Sequence, residues 1–443
     1  MRLNLLLLMG IYFAFSPTAE ALSIPKDYLG GVEVCAKNLD SRQNELGRWI
    51  KVPVDYSSLH RGTTDLYTWT KKPYDAQKKT VVFVSGGPGD TAHSSSLDLD
   101  EWNIIFFDQR GNSCSRPAAK ELYLDRSFYS SEKTARDIEE IRKAYAVDAI
   151  SVYGVSYGTV PAHLYGHFFP QTTRAVALEG VVYEGGSRLI QPARRTKILQ
   201  HFFDSLPEKT QNRILELSAH PEVAPTWFSS AGMMMLYLDD SLGSYLHFLN
   251  NILWNDDVAI GTLKSFEKSN SEEDVEYGFG HVMMGMIGCQ ELGMNLPGLS
   301  FYSVFQNRRL VSDGKNHFID SYCRSLGFTD KEVTKLFKAT EYPTQARTTY
   351  IQGTLDGATS ADNAVDHFKN AARGFAQLVL VRNGGHMPLH GPLTSGYEQG
   401  VSVETRKEIL NRVLLGETLS EEDLQKISNA TSLRWVRRSG PRK

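Results

Sequence analysis

Three residues far apart in the chain, Ser156, Asp356 and His386, are of the types that together make a hydroxyl nucleophilic. A serine hydroxyl attacks poorly until an imidazole accepts its proton, and the same imidazole then protonates the leaving group. A carboxylate on the far side of the ring holds the required tautomer and stabilises the imidazolium formed on the way. Rivals exist for two of the roles. Asp362 competes with Asp356, which also stands where it would cap a helix beginning near Ala361. His93 and His390 are the rival bases among 12 histidines, but neither follows an apolar strand through Gly-Gly as His386 does.

These residues need elements that carry them to one place. Ser156 lies in Gly154-Val155-Ser156-Tyr157-Gly158, a G-x-S-x-G pattern between an apolar run, Ala149–Tyr153, and a helix-like segment, Val160–Phe169. Strand, sharp turn and helix in that order push a serine hydroxyl out beyond the end of a sheet. Both glycines are required, because a side chain at either place would meet the neighbouring strand or helix. Pro161 is tolerated in the first helical turn. A second apolar strand, Thr80–Val84, runs directly into Ser85-Gly86-Gly87-Pro88-Gly89-Asp90. Glycines there let backbone N–H groups approach a ligand closely. The N–H of Gly87, or of Gly86, together with that of Tyr157 would stabilise a tetrahedral oxyanion, at about 3 kcal/mol per donor. Asp356 follows the strand Thr348–Gln352, and His386 follows the strand Ala376–Val381. In an open parallel sheet such strand-end loops gather along the carboxyl edge, where ligands bind.

The remaining elements set the frame. Arg48–Val54 and Asp65–Thr70 alternate as two antiparallel strands, and Trp102–Phe107 is another buried strand. It ends in Asp108-Gln109-Arg110-Gly111-Asn112-Ser113, where Asp108 and Arg110 are expected to brace loops through charge-assisted hydrogen bonds. Ser131–Ala146 reads as an amphipathic helix with Ala135, Ile138, Ile141 and Tyr145 on one face. Arg174–Leu178 is a further strand. Strands alternating with helices imply an α/β protein, its sheet mostly parallel with helices on both faces. From 185 to 344 the pattern turns helical, with segments Ala193–Leu206, Lys209–Ala219, Met233–Trp254 and Lys331–Ala339. This stretch reads as an inserted helical cap domain. The sheet domain then has a first part, 22–184, and a second part, 345–418, which closes on the helix Glu404–Leu415. Residues 419–443 form a basic tail, Arg434 to Lys443 being its most charged stretch, expected to fray in solvent.

Composition narrows the class. With 41% hydrophobic and 22% charged residues the chain is an ordinary globular protein, and a formal net charge of −3 argues against a nucleic-acid partner. Residues 1–21 read as a signal peptide: Arg2, then the apolar run Leu5–Phe15, then Ala19-Glu20-Ala21 as a cleavage site. No other apolar stretch is long enough to span a bilayer, so the expected location is periplasmic or secreted. Four cysteines then suggest disulfides. Of the three pairings, order and domain placement favour Cys35–Cys114 and Cys289–Cys323. No metal site is expected, since neither H-E-x-x-H nor a close His/Cys/Asp cluster is present. No cofactor is expected either, because no phosphate-cradling motif occurs.

The order Ser156, Asp356, His386 is that of the α/β hydrolases. Gly86-Gly87-Pro88-Gly89 resembles the H-G-G-P-G loop of prolyl aminopeptidases, and Asp108-Gln109-Arg110-Gly111 resembles their D-Q-R-G motif. Gly154 to Thr159 is similar to the elbow of secreted tripeptidyl aminopeptidases. The resemblance runs from about Trp49 to Leu415, the cap matching in position and kind. It implies an α/β-hydrolase fold and a serine exopeptidase that trims short peptides from a free N-terminus through an acyl-enzyme. It also implies an acidic residue after a cap cysteine that holds the substrate ammonium; in Cys289-Gln290-Glu291 that residue is Glu291. Ser85 replaces the histidine of the prolyl enzymes, and Ser113 replaces a glycine, which weighs against strict proline specificity. A carboxylesterase or lipase would use the same three residues. A non-catalytic binding protein would share the scaffold, but the complete set of reactive residues argues against it.

Overall fold

The computed structural model describes residues 28–38, 45–91, 97–189, 192–223, 227–236, 241–268, 281–294, 323, 326–328, 335–390, 402–430 and 434–439. The segment read as a signal peptide lies outside them, as does His93.

Nine strands form a single sheet in the order β1-β2-β4-β3-β5-β6-β7-β8-β9. They are β1 Gly47–Pro53, β2 Thr63–Thr70, β3 Lys79–Val84, β4 Trp102–Phe107, β5 Ile150–Val155, β6 Thr173–Glu179, β7 Thr348–Gly353, β8 Ala376–Arg382 and β9 Arg434–Ser439. Strands β4, β3, β5, β6, β7 and β8 pair in parallel, while β1, β2 and β9 add antiparallel edges. The parallel strands carry almost unbroken Val/Ile/Phe runs because both faces are covered. Alternate residues feed two cores: Val82, Val84, Ile150 and Val152 face one layer, while Val81, Phe83, Tyr153 and Val155 face the other.

Numbering the helices of two turns or more along the chain, α1 is Gly31–Asn38, α2 Ser131–Ala144 and α3 Thr159–Phe168. Ser130 caps α2 by accepting from the Lys133 N–H at 3.0 Å. Next come α4 Pro192–Ser205, α5 Glu208–Ser218, α6 Trp227–Met235, α7 Ser241–Ile252, α8 Asp256–Lys268 and α9 His281–Gln290. Residues from α4 to α8 build a third core of their own, centred on Trp227, Tyr245, Leu249 and Leu263. The last three helices are α10 Ala361–Asn370, α11 Val403–Leu415 and α12 Glu421–Ala430. Disulfides join Cys35 in α1 to Cys114 beyond β4, and Cys289 in α9 to Cys323, the pairing expected from chain order.

Three local expectations fail, each for a packing reason. Met233–Trp254 is not one helix: α6 ends at Met235 and α7 begins at Ser241. Tyr245 packs on Phe228 at 5.2 Å between ring centres, and residues so far apart along one straight helix could not touch. Lys331–Ala339 is not an α-helix where it is described, and only its last residue enters a 3-10 turn, Ala339–Glu341. Phe337 N–H bonds to Glu291 O, Gly185 N–H to Phe337 O, and Ala339 N–H to Tyr183 O, so the segment runs extended between two other pieces of chain. Tertiary hydrogen bonds and the burial of Phe337 override helix propensity there. The basic terminus does not fray over its described part. Arg434–Ser439 pairs with β8 as edge strand β9, with Trp435 buried on the sheet and Val436 exposed. Alternation at Trp435 was masked in the sequence by the four arginines around it.

Candidate active site

Strand β5 ends at Val155, and the chain turns at Ser156 into α3. Ser156 has φ 56°, the left-handed region that a non-glycine residue occupies only under tertiary constraint. Two hydrogen bonds and two close backbone approaches supply the constraint. Thr159 Oγ1 donates to the Ser156 carbonyl at 2.6 Å, and that same hydroxyl accepts from Val182 N–H at 3.1 Å. A Cβ on Gly154 would lie 2.2 Å from Gly158 O, and one on Gly158 would lie 2.2 Å from Val84 O. The two glycines therefore permit the tight crossing of β5, α3 and β3 that holds the serine partly exposed at the sheet's edge.

The loop after β3 sits directly against this turn. A Cβ on Gly86 would come within 2.9 Å of Ser156 Cβ, so only glycine lets the Gly86-Gly87 backbone lie beside the serine. Gly87 has φ +98°. The loop is held by Ser85 Oγ donating to Asp90 O at 2.7 Å and by Gln109 Nε2 donating to Ser85 O at 3.1 Å. Gln109 thus braces the loop. Its neighbours do the same work further out: Asp108 accepts from Cys114 N–H at 3.0 Å, and buried Arg110 pairs with Asp137 through Nε at 2.8 Å and through Nη2.

Beyond β7 and β8 the structure brings Asp356 and His386 together. His386 Nδ1 donates to Asp356 Oδ2 at 2.8 Å, both side chains being buried. This bond fixes the tautomer and leaves Nε2 as the ring's basic nitrogen. Asp356 also accepts from Gln352 Nε2 at 2.7 Å and from Ala358 N–H, Thr359 N–H and Thr359 Oγ1, each at 2.8 Å. Burial alone would raise its pKa; the His386 ring and these donors outweigh it and hold the carboxyl below the usual range. His386 packs over the end of β6, where a Cβ on Gly180 would lie 2.7 Å from its Cε1.

The rival residues are occupied elsewhere. Asp362 pairs with Arg194, and its helix is capped by Ser360. His390 is buried with its ring stacked on Phe83 at 5.1 Å, and burial lowers its pKa to about 4.

Glu291 is half-buried and bonded to the start of α2. Both its oxygens accept from Ser131 N–H, at 3.0 and 3.2 Å, and Oε2 also accepts from Ser131 Oγ. The carboxylate thus sits on the N-terminal turn of α2, a position the helix dipole favours. Ser131 Oγ in turn touches Tyr157 Oη at 2.9 Å. Burial lifts the Glu291 carboxyl to about 7.

Sequence reasoning missed Glu179 and Gln352. Glu179 closes β6 and accepts from Tyr153 Oη and from His390 N–H at 3.0 Å, as well as from Leu389 N–H. It anchors the loop that carries His386. Gln352 also accepts from Val181 N–H at 2.9 Å, tying the ends of β6 and β7 to Asp356. Each is a polar residue terminating an otherwise apolar strand, which is the signal that would have found them.

The model of the family described as "alpha/beta hydrolase fold" matches residues 79–391. This chain belongs to that family. Among curated proteins, the hydrolase is 28% identical over 188 residues to the proline iminopeptidase of Arabidopsis thaliana, covering 39% of this chain and 47% of that protein. It is 27% identical over 177 residues to the putative hydrolase YuaR of Escherichia coli (strain K12), covering 30% and 36%. The matched stretches thus span less than half the length of either relative. Among solved structures, a proline iminopeptidase from Mycobacterium smegmatis superposes with TM-score 0.41 at 12% identity, covering 83% of this chain and 97% of that one. No described helix of this hydrolase is long and apolar enough to cross a membrane.

Proposed function

We propose that this α/β hydrolase is an exported serine exopeptidase that hydrolyses short peptides from a free N-terminus. Ser156 is the nucleophile, His386 the general base and then acid, and Asp356 the residue that orients and charges the imidazole. The backbone N–H groups of Gly87, with Gly86 beside it, and of Tyr157 receive the oxyanion. The observation that carries the reading is the 2.8 Å bond from His386 to Asp356 at the same sheet edge as the strained Ser156 turn.

The steps follow from these positions. The peptide carbonyl seats between the glycine loop and Ser156; Nε2 of His386 takes the serine proton as the hydroxyl attacks. The tetrahedral intermediate collapses as the imidazolium protonates the departing amine, leaving an acyl-enzyme. Water, activated by the same imidazole, then releases the acid. No metal or cofactor enters these steps. The two disulfides and the signal-like first 21 residues support export. Similarity to proline iminopeptidases supports peptides as substrates. The helical segment 185–344, with its own core, supports a cap that limits access to small substrates.

The test compares release of N-terminal residues from free and N-acetylated peptides by the wild-type protein and by Ser156→Ala. The free peptides should be cleaved and the acetylated ones largely spared, with turnover by Ser156→Ala down by about 10⁴-fold or more. Cleavage surviving the substitution would remove Ser156 from the mechanism. Equal cleavage of blocked peptides would remove the exopeptidase claim, and turnover confined to acetyl or butyryl esters would make the protein an esterase.

A further inference from the structure

The glycine loop ends in an acidic residue to which the mechanism above gives no part. Asp90 is fixed by its backbone: Ser85 Oγ and Asn112 Nδ2 donate to its carbonyl at 2.7 and 3.1 Å, and its N–H bonds to Gly86 O at 3.3 Å. The carboxylate turns back toward the serine. A Cβ placed on Gly86 would be 3.3 Å from Asp90 Oδ2 and 2.9 Å from Ser156 Cβ, so the carboxylate oxygen lies no further from Ser156 Cβ than the sum of these two distances. Among the described residues no donor is bonded to either oxygen, in contrast to Asp356, Glu179 and Glu291, whose oxygens are all engaged.

An ionised carboxylate in this position is doubly unfavourable. It is only partly exposed to water, no described residue donates to it, and it stands beside the place where a negative oxyanion must form. Burial raises its pKa to about 6, with the nearby His386 ring opposing the rise, so the carboxylate is largely charged at neutral pH. A bound cation relieves both penalties together.

We propose that Asp90 receives the free α-ammonium of the substrate's first residue, making this a single-residue aminopeptidase. The inference rests on the exopeptidase reading above and adds to it the anchoring group and the number of residues removed. In an aminoacyl amide, one carbon separates the ammonium nitrogen from the carbonyl that Ser156 attacks. A carboxylate this close to the serine reaches the ammonium only when the scissile bond follows the first residue. The terminus of a tripeptidyl substrate would lie further off by roughly 3.3–3.6 Å for each added residue. A blocked substrate leaves the carboxylate unpaired next to the oxyanion, and this repulsion selects against it.

The experiment measures kcat/KM for alanyl, N-acetylalanyl and trialanyl p-nitroanilides with wild type, Asp90→Asn and Ser156→Ala. Wild type should favour the alanyl substrate over both others. Asp90→Asn should lower kcat/KM for the alanyl substrate roughly 10- to 100-fold, mainly through KM, the scale of one lost charge-assisted bond. The N-acetyl substrate should be unaffected or faster, so that the preference for a free amine collapses. Thermal melting checks that the variant is folded, and the wild-type ranking of the three substrates is a test that needs no variant. A uniform fall on all three substrates would mean that Asp90 acts through His386 or the fold, and would overturn the inference. So would an unchanged preference in Asp90→Asn, or a wild type faster on the trialanyl substrate. Any of these three results with Ser156-dependent hydrolysis leaves the parent reading standing; hydrolysis that persists in Ser156→Ala defeats the parent reading itself.

Discussion

Asp356→Asn should lower kcat about 10⁴-fold while KM stays within a few-fold of wild type. The reason lies in what the carboxylate accepts. If the asparagine oxygen keeps the Ala358 and Thr359 N–H groups, the new NH₂ faces Gln352 Nε2, Thr359 Oγ1 and His386 Nδ1. A donor opposite Nδ1 favours the other imidazole tautomer, with the proton on Nε2, and that nitrogen can no longer take the serine proton. The side chain keeps its shape, so binding is affected little. Steady-state kinetics on a free-amine anilide, with circular dichroism as a folding check, reads the result. A folded Asp356→Asn protein within tenfold of wild-type kcat would remove Asp356 from its role.

The largest expected effect on stability lies away from the reacting atoms. Arg110 and Asp137 form a buried pair, 1% and 0% exposed, joined by Nε at 2.8 Å and by Nη2. The guanidinium also donates to Val54 O, Phe128 O and Pro53 O, and Tyr56 Oη donates to Asp137 at 2.7 Å. Arg110→Ala would leave the buried Asp137 carboxylate without its counter-charge, keeping the Tyr56 hydroxyl as donor, and would take a donor from three carbonyls. Breaking such a pair from one side costs about 3–5 kcal/mol. Arg110→Lys should recover only part of this, because an ammonium cannot reproduce the planar fork. Urea unfolding of the three proteins measures it. A loss under about 1 kcal/mol in Arg110→Ala would show that water or relaxation replaces the pair.

The parts of the molecule legible in the sequence are those where local pattern and tertiary role coincide. Eight of the nine strands could be read: β1 and β2 from alternation, and the six parallel strands from apolar runs, since a strand buried on both faces has few other ways to look. The elbow was legible because Gly154 and Gly158 are required by backbone contacts that no other residue survives. Asp356 and His386 were legible because each follows a strand end, and the parallel topology brings strand ends together. What was illegible depended on partners distant in sequence. Trp435 alternates inward only because β8 offers an edge, and Lys335–Ala339 is extended because residues 183–185 and 290–291 flank it. The bond from Ser131 at the start of α2 to Glu291, a contact across 160 positions, was equally out of reach of the sequence. Asp90 was visible as the end of a glycine loop, but that no described residue donates to its carboxylate belongs to three dimensions alone.

The central claim is that the His386–Asp356 pair activates Ser156 in particular. Labelling with a fluorophosphonate, followed by intact-mass and peptide mapping, tests it most directly, because the reagent reports nucleophilicity without assuming a substrate. One adduct per chain is expected, located on Ser156, absent in Ser156→Ala and formed far more slowly in Asp356→Asn. An adduct on another serine, or an unreactive Ser156 in the folded wild-type protein, would contradict it.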